Sequence, residues 1–222
     1  MKIIVDSSIQ LDTVLKERLE ALANSWGRQI EVFGNSPTDL EVLEDSDNAL
    51  VFILTNSQRK HIRKYLEHAR GLRMPYVFIT PQMNCKDTLT NVLLPIGFLE
   101  EEVGKAQYAA AFGRFCGSHI SVLKPHDYGT RAQKNIDKAV SLFDKFELTY
   151  QIVEGKKDSF KIEQEAAQRS SELDADILII SSSRDYGLDD IIFGPKEQHV
   201  IEKSTIPVVL VNPRKDLYSL CD

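Results

Sequence analysis

The feature that most narrows the choice of folds is a series of short, β-branched apolar runs without polar alternation, set between longer stretches with helical spacing. Ile177-Leu178-Ile179-Ile180 and Val208-Val209-Leu210-Val211 are continuous runs of this kind. A strand with one wet face alternates, whereas one covered by helices on both faces does not. The pattern therefore predicts parallel strands joined by crossover helices. In the second half the strands are Asn91 to Ile96, His119 to Leu123, Tyr150 to Val153, Asp176 to Ile180 and Pro207 to Val211. Ala132, Ile136, Ala139, Val140 and Phe143 form one apolar helix face between them, and Leu99, Val103, Ala106, Ala110 and Phe115 a weaker one.

The first half repeats this plan with one βα unit missing. Its strands are Lys2 to Asp6, Ile30 to Phe33, Leu50 to Thr55 and Pro75 to Ile79, with helices at Leu11 to Ala23 and Gln58 to Arg70. Both halves end alike, in Pro75-Tyr76-Val77-Phe78-Ile79-Thr80-Pro81 and Pro207-Val208-Val209-Leu210-Val211-Asn212-Pro213. A proline opens each strand, where a missing N–H is tolerated, and another closes it. The expected fold class is α/β: two tandem doubly wound parallel-sheet domains, Rossmann-like with strand order 3-2-1-4-5, the first one shortened. The boundary falls in the polar stretch Gln82 to Thr90, giving units 1–84 and 85–222. A single sheet running through both halves would count against two copies.

Charge and composition remove several function classes. With a formal charge of -6 and scattered basic residues, the chain lacks the clustered Lys and Arg on which nucleic-acid affinity rests. The densest basic stretch, Arg59 to Arg73, also carries Ile62, Leu66 and Ala69 at helical spacing, so it is expected to be a solvated helix face. No apolar run reaches the roughly 18 residues of a membrane span, and Lys2 to Asp6 is too short for a secretory core. Cys85, Cys116 and Cys221 are odd in number and lack metal-ligand spacing, which fits a cytoplasmic protein with free thiols. None of the histidines His61, His68, His119, His126 and His199 falls into a metal motif, and His61 and His68 are expected at the surface. The acidic runs Glu41 to Asp47 and Glu100 to Glu102 are expected to be solvated helix starts.

Ligands of open parallel sheets bind beyond the carboxyl ends of strands where the strand order reverses, here the loops after Ile96 and Ile180. The second loop runs Ser181-Ser182-Ser183-Arg184-Asp185-Tyr186-Gly187 and on to Gly194-Pro195-Lys196 before a helix and the last strand. This order of strand, glycine-punctuated loop, Gly-led helix and Pro-Val-Val-Leu-Val strand resembles the universal stress protein family over residues 91–213. Residues 1–81 resemble a shortened second copy. The resemblance implies an adenine nucleotide, ATP or AMP, held by a pattern of Gly, two residues, Gly, nine residues, then Gly followed by Ser or Thr. Anchored on Gly194, this pattern meets Ser181, Arg184 and Pro195 instead of its other members. A non-glycine residue at such a turn costs about 1–2 kcal/mol and adds a side chain where phosphate would lie. Proline at 195 removes a hydroxyl and an N–H that a helix start would offer an anion. Gly194 as N-cap and Pro195 as first helical residue explain the same positions without a ligand. Nucleotide-holding members place an aspartate just after the first strand; here that place is Gly97, while the first half keeps Asp6. The later loop of the first half is only Thr55-Asn56-Ser57-Gln58, where Asn56 or Ser57 is expected to cap a helix. The candidate ligand-contacting residues are thus Asp6, Gly97, Ser181, Arg184, Gly187 and Gly194, with Arg184 able to grip an anion bidentately.

No Gly-x-Ser-x-Gly elbow surrounds Ser181, Ser182 and Ser183, which leaves them as turn residues. His126 and Asp127 are the best general-base candidates if the chain is an enzyme. The expected function is a stress-response binding or regulatory protein, not an enzyme, with a lost or weakened ATP site. Alternatives are an adenine-nucleotide-binding universal stress protein and a nucleotide-alpha-hydrolase-like enzyme. The expected partner is the protein itself, through Pro75 to Ile79 and Pro207 to Val211, paired within one chain as a pseudo-dimer or between chains as a homodimer.

Overall fold

The computed structural model describes residues 1–126, 129–183 and 194–213. The first half comprises β1 (Lys2–Val5), α1 (Thr13–Ser25), β2 (Glu31–Gly34), a 3-10 turn (Pro37–Leu43), β3 (Val51–Leu54), α2 (Arg59–Ala69) and β4 (Tyr76–Ile79). The second comprises β5 (Asn91–Pro95), a 3-10 turn (Glu100–Lys105), α3 (Ala106–Cys116), β6 (His119–Lys124), α4 (Thr130–Lys145), β7 (Tyr150–Glu154), α5 (Ile162–Arg169), β8 (Ile177–Ser181), α6 (Lys196–Lys203) and β9 (Val208–Val211).

Local chemistry sets several boundaries. The Asp12 carboxylate accepts the Leu15 N–H (2.8 Å) and starts α1. Gly117, at φ +69°, ends α3 in the left-handed conformation that glycine adopts without strain. Asn56 accepts the Gln58 N–H (2.9 Å), but Gln58 itself is the N-cap of α2, so Asn56 braces the approach instead of capping. The start of α6 is also displaced by one residue from expectation. Pro195 is the N-cap, and Gly194, at φ +87°, shapes the turn before it. The stripe expected from Leu99 to Phe115 is split, because Glu102 and Lys105 both turn inward from a 3-10 segment, where side chains three apart eclipse.

All nine strands form one sheet in the order β2-β1-β3-β4-β9-β8-β5-β6-β7. The second-half portion is the expected 3-2-1-4-5, and the first half follows the same order with one strand fewer. Neighbours are parallel except at the centre, where β4 and β9 run antiparallel with Tyr76 opposite Leu210, Val77 opposite Val209 and Phe78 opposite Val208. The sheet is therefore continuous, against the sequence criterion for two copies. Its polarity reverses at this seam, which is the within-chain pairing of the last strands that the repeat suggested. Because β4 also pairs β3 and β9 also pairs β8, neither has a free edge to offer a second chain. A homodimer built by pairing those strands between chains is thereby ruled out in this arrangement.

Helices α1, α3 and α4 cover one face of the sheet and α2, α5 and α6 the other. Along β8, Ile177 and Ile179 enter the core containing Leu19, Phe112 and Phe143, while Leu178 and Ile180 enter that of Ile62, Tyr65 and Val200. Both faces being dry explains the absence of alternation. Asn212, just past β9, fastens the seam: its amide donates to the carbonyls of Ala69, Arg70 and Leu72 (2.8, 3.2 and 2.9 Å). Its carbonyl oxygen accepts the hydroxyls of Tyr76 and Ser182.

Candidate functional site

The sheet places one switch point between β1 and β3 and another between β5 and β8. Since the seam is antiparallel, the two crevices open at opposite edges of the sheet. Asp6 and the pair Gly97 and Ser181 thus belong to separate sites.

The second-half crevice, about 400 Å3, is lined by Phe98, Glu102, Phe160, Glu163, Ser181 and Lys196 among others. Gly97 leaves β5 with its carbonyl and that of Leu99 held by the buried amide of Asn135 (3.0 and 2.9 Å). Its N–H donates to Glu102. The Ser181 N–H, at the end of β8, donates to Glu163 (3.0 Å), and the Ser183 N–H donates to Glu197. Lys105, with no exposed surface, stands 3.3 Å from Glu102 and 3.2 Å from Glu163. Lys196 reaches the other oxygen of Glu163 at 2.9 Å. Glu102, Lys105, Glu163 and Lys196 thus form a connected network in the position where the resemblance implies a phosphate, with Glu197 beside it on the Ser183 N–H.

Their protonation follows from these contacts. Burial alone would favour the neutral acid of Glu163, but the ammonium groups of Lys196 and Lys105 hold it well below the usual carboxylate range. Burial likewise opposes the charge on Lys196, yet Glu163 and Glu197 keep its pKa raised. Glu197 differs: its burial outweighs Lys196 and raises its pKa, and its Oε2 is buried without a hydrogen-bond partner among the described residues. Gly194 packs beside this cluster, where a Cβ would fall 2.6 Å from Gln198 Oε1.

In the first-half crevice, about 350 Å3, Asp6 is bonded by its own chain. Its Oδ1 accepts the Ser8 N–H (2.7 Å) and hydroxyl (2.5 Å), and its Oδ2 meets Thr55 Oγ1 (3.5 Å) and His61 Nδ1 (3.0 Å). A carboxylate has about four acceptor positions, so these contacts leave none open. Burial works against its ionisation, but the bonds from Ser8 and His61 hold its pKa below normal. Burial followed by the Asp6 charge pushes the Tyr65 hydroxyl up. Lys60, His61 and Lys64 line this cavity from α2.

Several sequence expectations change here. His61 is a partner of Asp6 instead of a plain surface residue, and Glu102 is buried instead of solvated. Lys105, Glu163, Lys196 and Glu197 were not anticipated; the one sign was a lysine interrupting the apolar positions Val103 and Ala106. His126 donates its backbone N–H to the Lys157 carbonyl (2.8 Å) beside a separate cavity. Arg184, Gly187, Asp127 and Cys221 lie outside the described residues. Among the described residues no helix is long and apolar enough to cross a membrane.

No family model and no curated protein matches the sequence. Solved structures do. A functionally unknown protein from Pseudomonas aeruginosa PAO1 is 12% identical with a TM-score of 0.62, covering 96% of this chain and 92% of that one. A putative universal stress protein from Pseudomonas aeruginosa UCBPP-PA14 is 12% identical, with a TM-score of 0.61 and the same coverage. A universal stress protein from Archaeoglobus fulgidus DSM 4304 is 17% identical, with a TM-score of 0.60, covering 96% of this chain and 84% of that one. This chain is similar to universal stress proteins in fold, across both halves.

Proposed function

We propose that this chain is a stress-protein-like binding or regulatory protein whose second-half nucleotide crevice has been closed by its own side chains. The observation that carries this is the capture of the Gly97, Ser181 and Ser183 N–H groups by Glu102, Glu163 and Glu197. In a phosphate-binding loop such groups point at the ligand. Here each already serves a glutamate from within, and an entering phosphate meets the carboxylates of Glu102 and Glu163 against the ammonium groups of Lys105 and Lys196. The stress-response part of the proposal rests on likeness of fold alone. Isothermal titration with ATP and with AMP at millimolar concentration, with and without Mg2+, tests it. No saturable uptake at this crevice is expected; tight, Mg-dependent uptake lost in Lys196→Ala would overturn it.

A nucleotide in the first-half crevice is the second reading, favoured by the basic rim of Lys60, His61 and Lys64. Uptake that survives Lys196→Ala but weakens in Lys64→Ala would support it. Catalysis has less support, since Asp127, the acidic neighbour paired with His126 in the sequence reading, lies outside the described residues. Phosphate release that disappears on changing His126 would favour an enzyme instead.

A further inference from the structure

Away from both crevices, a cavity of about 300 Å3 opens on the face that carries α1, α3 and α4. Its origin is topological. β4 ends the first half and runs into the linker Gln82–Thr90 instead of a crossover helix, leaving this stretch of sheet thinly roofed. On the opposite face α2 and α6 approach each other over the seam, where Arg59 pairs with Glu202 (3.1 Å). On this face α1 and α3 meet at one end, with Trp26 against Phe112 and Phe115 at 5.1 and 5.3 Å. Residues 85–89 supply the remaining wall.

The lining is apolar: Leu19 and Leu22 from α1, and Phe52, Val77, Ile79 and Ile177 from the sheet. Cys85 and Cys116 also line it. Burial pushes the Cys85 thiol up to about 11 against the pull of Arg18, so it stays neutral and behaves as an apolar group. Cys116 Sγ accepts the Trp26 indole N–H (3.3 Å). Two cations border the space, Arg18 and Lys86. Arg18 is bonded to the Cys85 carbonyl and paired with Asp87, whose carboxylate is 78% exposed. The pair is open to water on the Asp87 side, so another carboxylate can take the place of Asp87 at the partly buried guanidinium. The neighbouring Lys86 is committed to Asp174 and Asp176.

We propose that this seam cavity binds a small, mainly apolar molecule ending in a carboxylate, of the class of a medium-chain fatty acid. The tail lies among Leu19, Leu22, Val77 and Ile79, and the head replaces Asp87 at Arg18. The size and the apolar walls with one polar anchor are those of a small-molecule pocket. A guanidinium matches a carboxylate in charge and in its two-pronged geometry, and repels an amine. The inference holds whether or not either crevice takes a nucleotide.

The probe is decanoate, titrated calorimetrically into the full chain, with decylamine as its cationic counterpart. Saturable uptake of decanoate is expected, weakened about tenfold or more in Arg18→Ala, the loss of one charge-assisted contact. Leu22→Trp, which fills the cavity from the partly exposed helix α1, should abolish it; if circular dichroism shows that variant unfolded, Ala21→Trp on the same wall takes its place. Alkylation of Cys85 and Cys116, followed by mass spectrometry, should slow with decanoate in the parent protein and not in the filled variant. Absence of uptake at millimolar decanoate, equal uptake of decylamine, or uptake indifferent to both variants overturns the proposal. So does shielding of both thiols by association of two chains without decanoate, which would assign the surface to self-contact.

Discussion

Lys105→Met keeps most of the bulk of the stem and deletes an ammonium that stands, fully buried, 3.3 Å from Glu102 and 3.2 Å from Glu163. Breaking a buried ion pair from one side costs about 3–5 kcal/mol, because the remaining charge stays buried and uncompensated. Here the surviving carboxylates keep some support. Glu163 retains Lys196 and the Ser181 N–H, and Glu102 retains the Gly97 N–H. The lower end, about 3 kcal/mol, is therefore expected. At about 2–4 °C per kcal/mol for a chain of this length, the melting temperature should fall by about 6–12 °C. Urea unfolding at neutral pH, followed by circular dichroism, measures the loss directly. The double variant Glu102→Gln with Lys105→Met removes the stranded charge and should recover at least half of it. A loss below about 1 kcal/mol, as for a surface pair, would mean that water reaches the network and that the crevice is not closed from within.

Asp176 is fully buried and accepts the Thr90 N–H and hydroxyl and the Asn91 N–H (2.7, 2.9 and 2.8 Å) while pairing with Lys86. Asp176→Ala leaves the Thr90 and Asn91 N–H groups without their acceptor, at about 1–3 kcal/mol each, and should speed proteolysis of the linker Gln82–Thr90, read by limited digestion and mass spectrometry. Acid should destabilise the fold in a defined direction. Asp6, Glu163 and Asp176 all have pKa values lowered on folding, so their contribution is complete above the ordinary carboxylate range of about 4 and is lost as pH falls through the depressed values. A melting temperature that holds or rises below that range would contradict these contacts. Glu197 works the other way, since its raised pKa makes its ionised form a burden that acid relieves. Glu197→Gln should raise the melting temperature at pH 8, and the gain should shrink steadily as pH falls toward the ordinary carboxylate range, as scanning calorimetry of both proteins would show.

The parts of the fold legible in the sequence are those governed by neighbours along the chain. Ile177 to Ile180 lacks alternation because odd and even positions enter different cores, so both its strand character and its central place could be read locally. Boundaries slipped by a residue where prolines stand: Pro75 and Pro207 precede their strands, and Pro195 precedes α6. The site was less legible, for a physical reason. A lysine at 105 is indistinguishable from a surface lysine until Glu163, 58 residues away, is brought beside it. His61 and Asp6 are likewise 55 residues apart, and only the adjacency of β1 and β3 puts them in contact. Serine and arginine at 181 and 184 could be recognised as departures from a phosphate loop, but not that glutamates on α5 and α6 would reach the backbone N–H groups of Ser181 and Ser183.

Joining β4 to β9 inside one polypeptide has a further effect on how the molecule behaves. Partners held only by association separate when diluted, with a midpoint that drifts with concentration. Strands tethered by a covalent chain face each other at a local concentration that dilution does not change. This seam should persist at nanomolar protein as it does at millimolar, and either half can accumulate changes, such as the loss of a strand, without losing its neighbour.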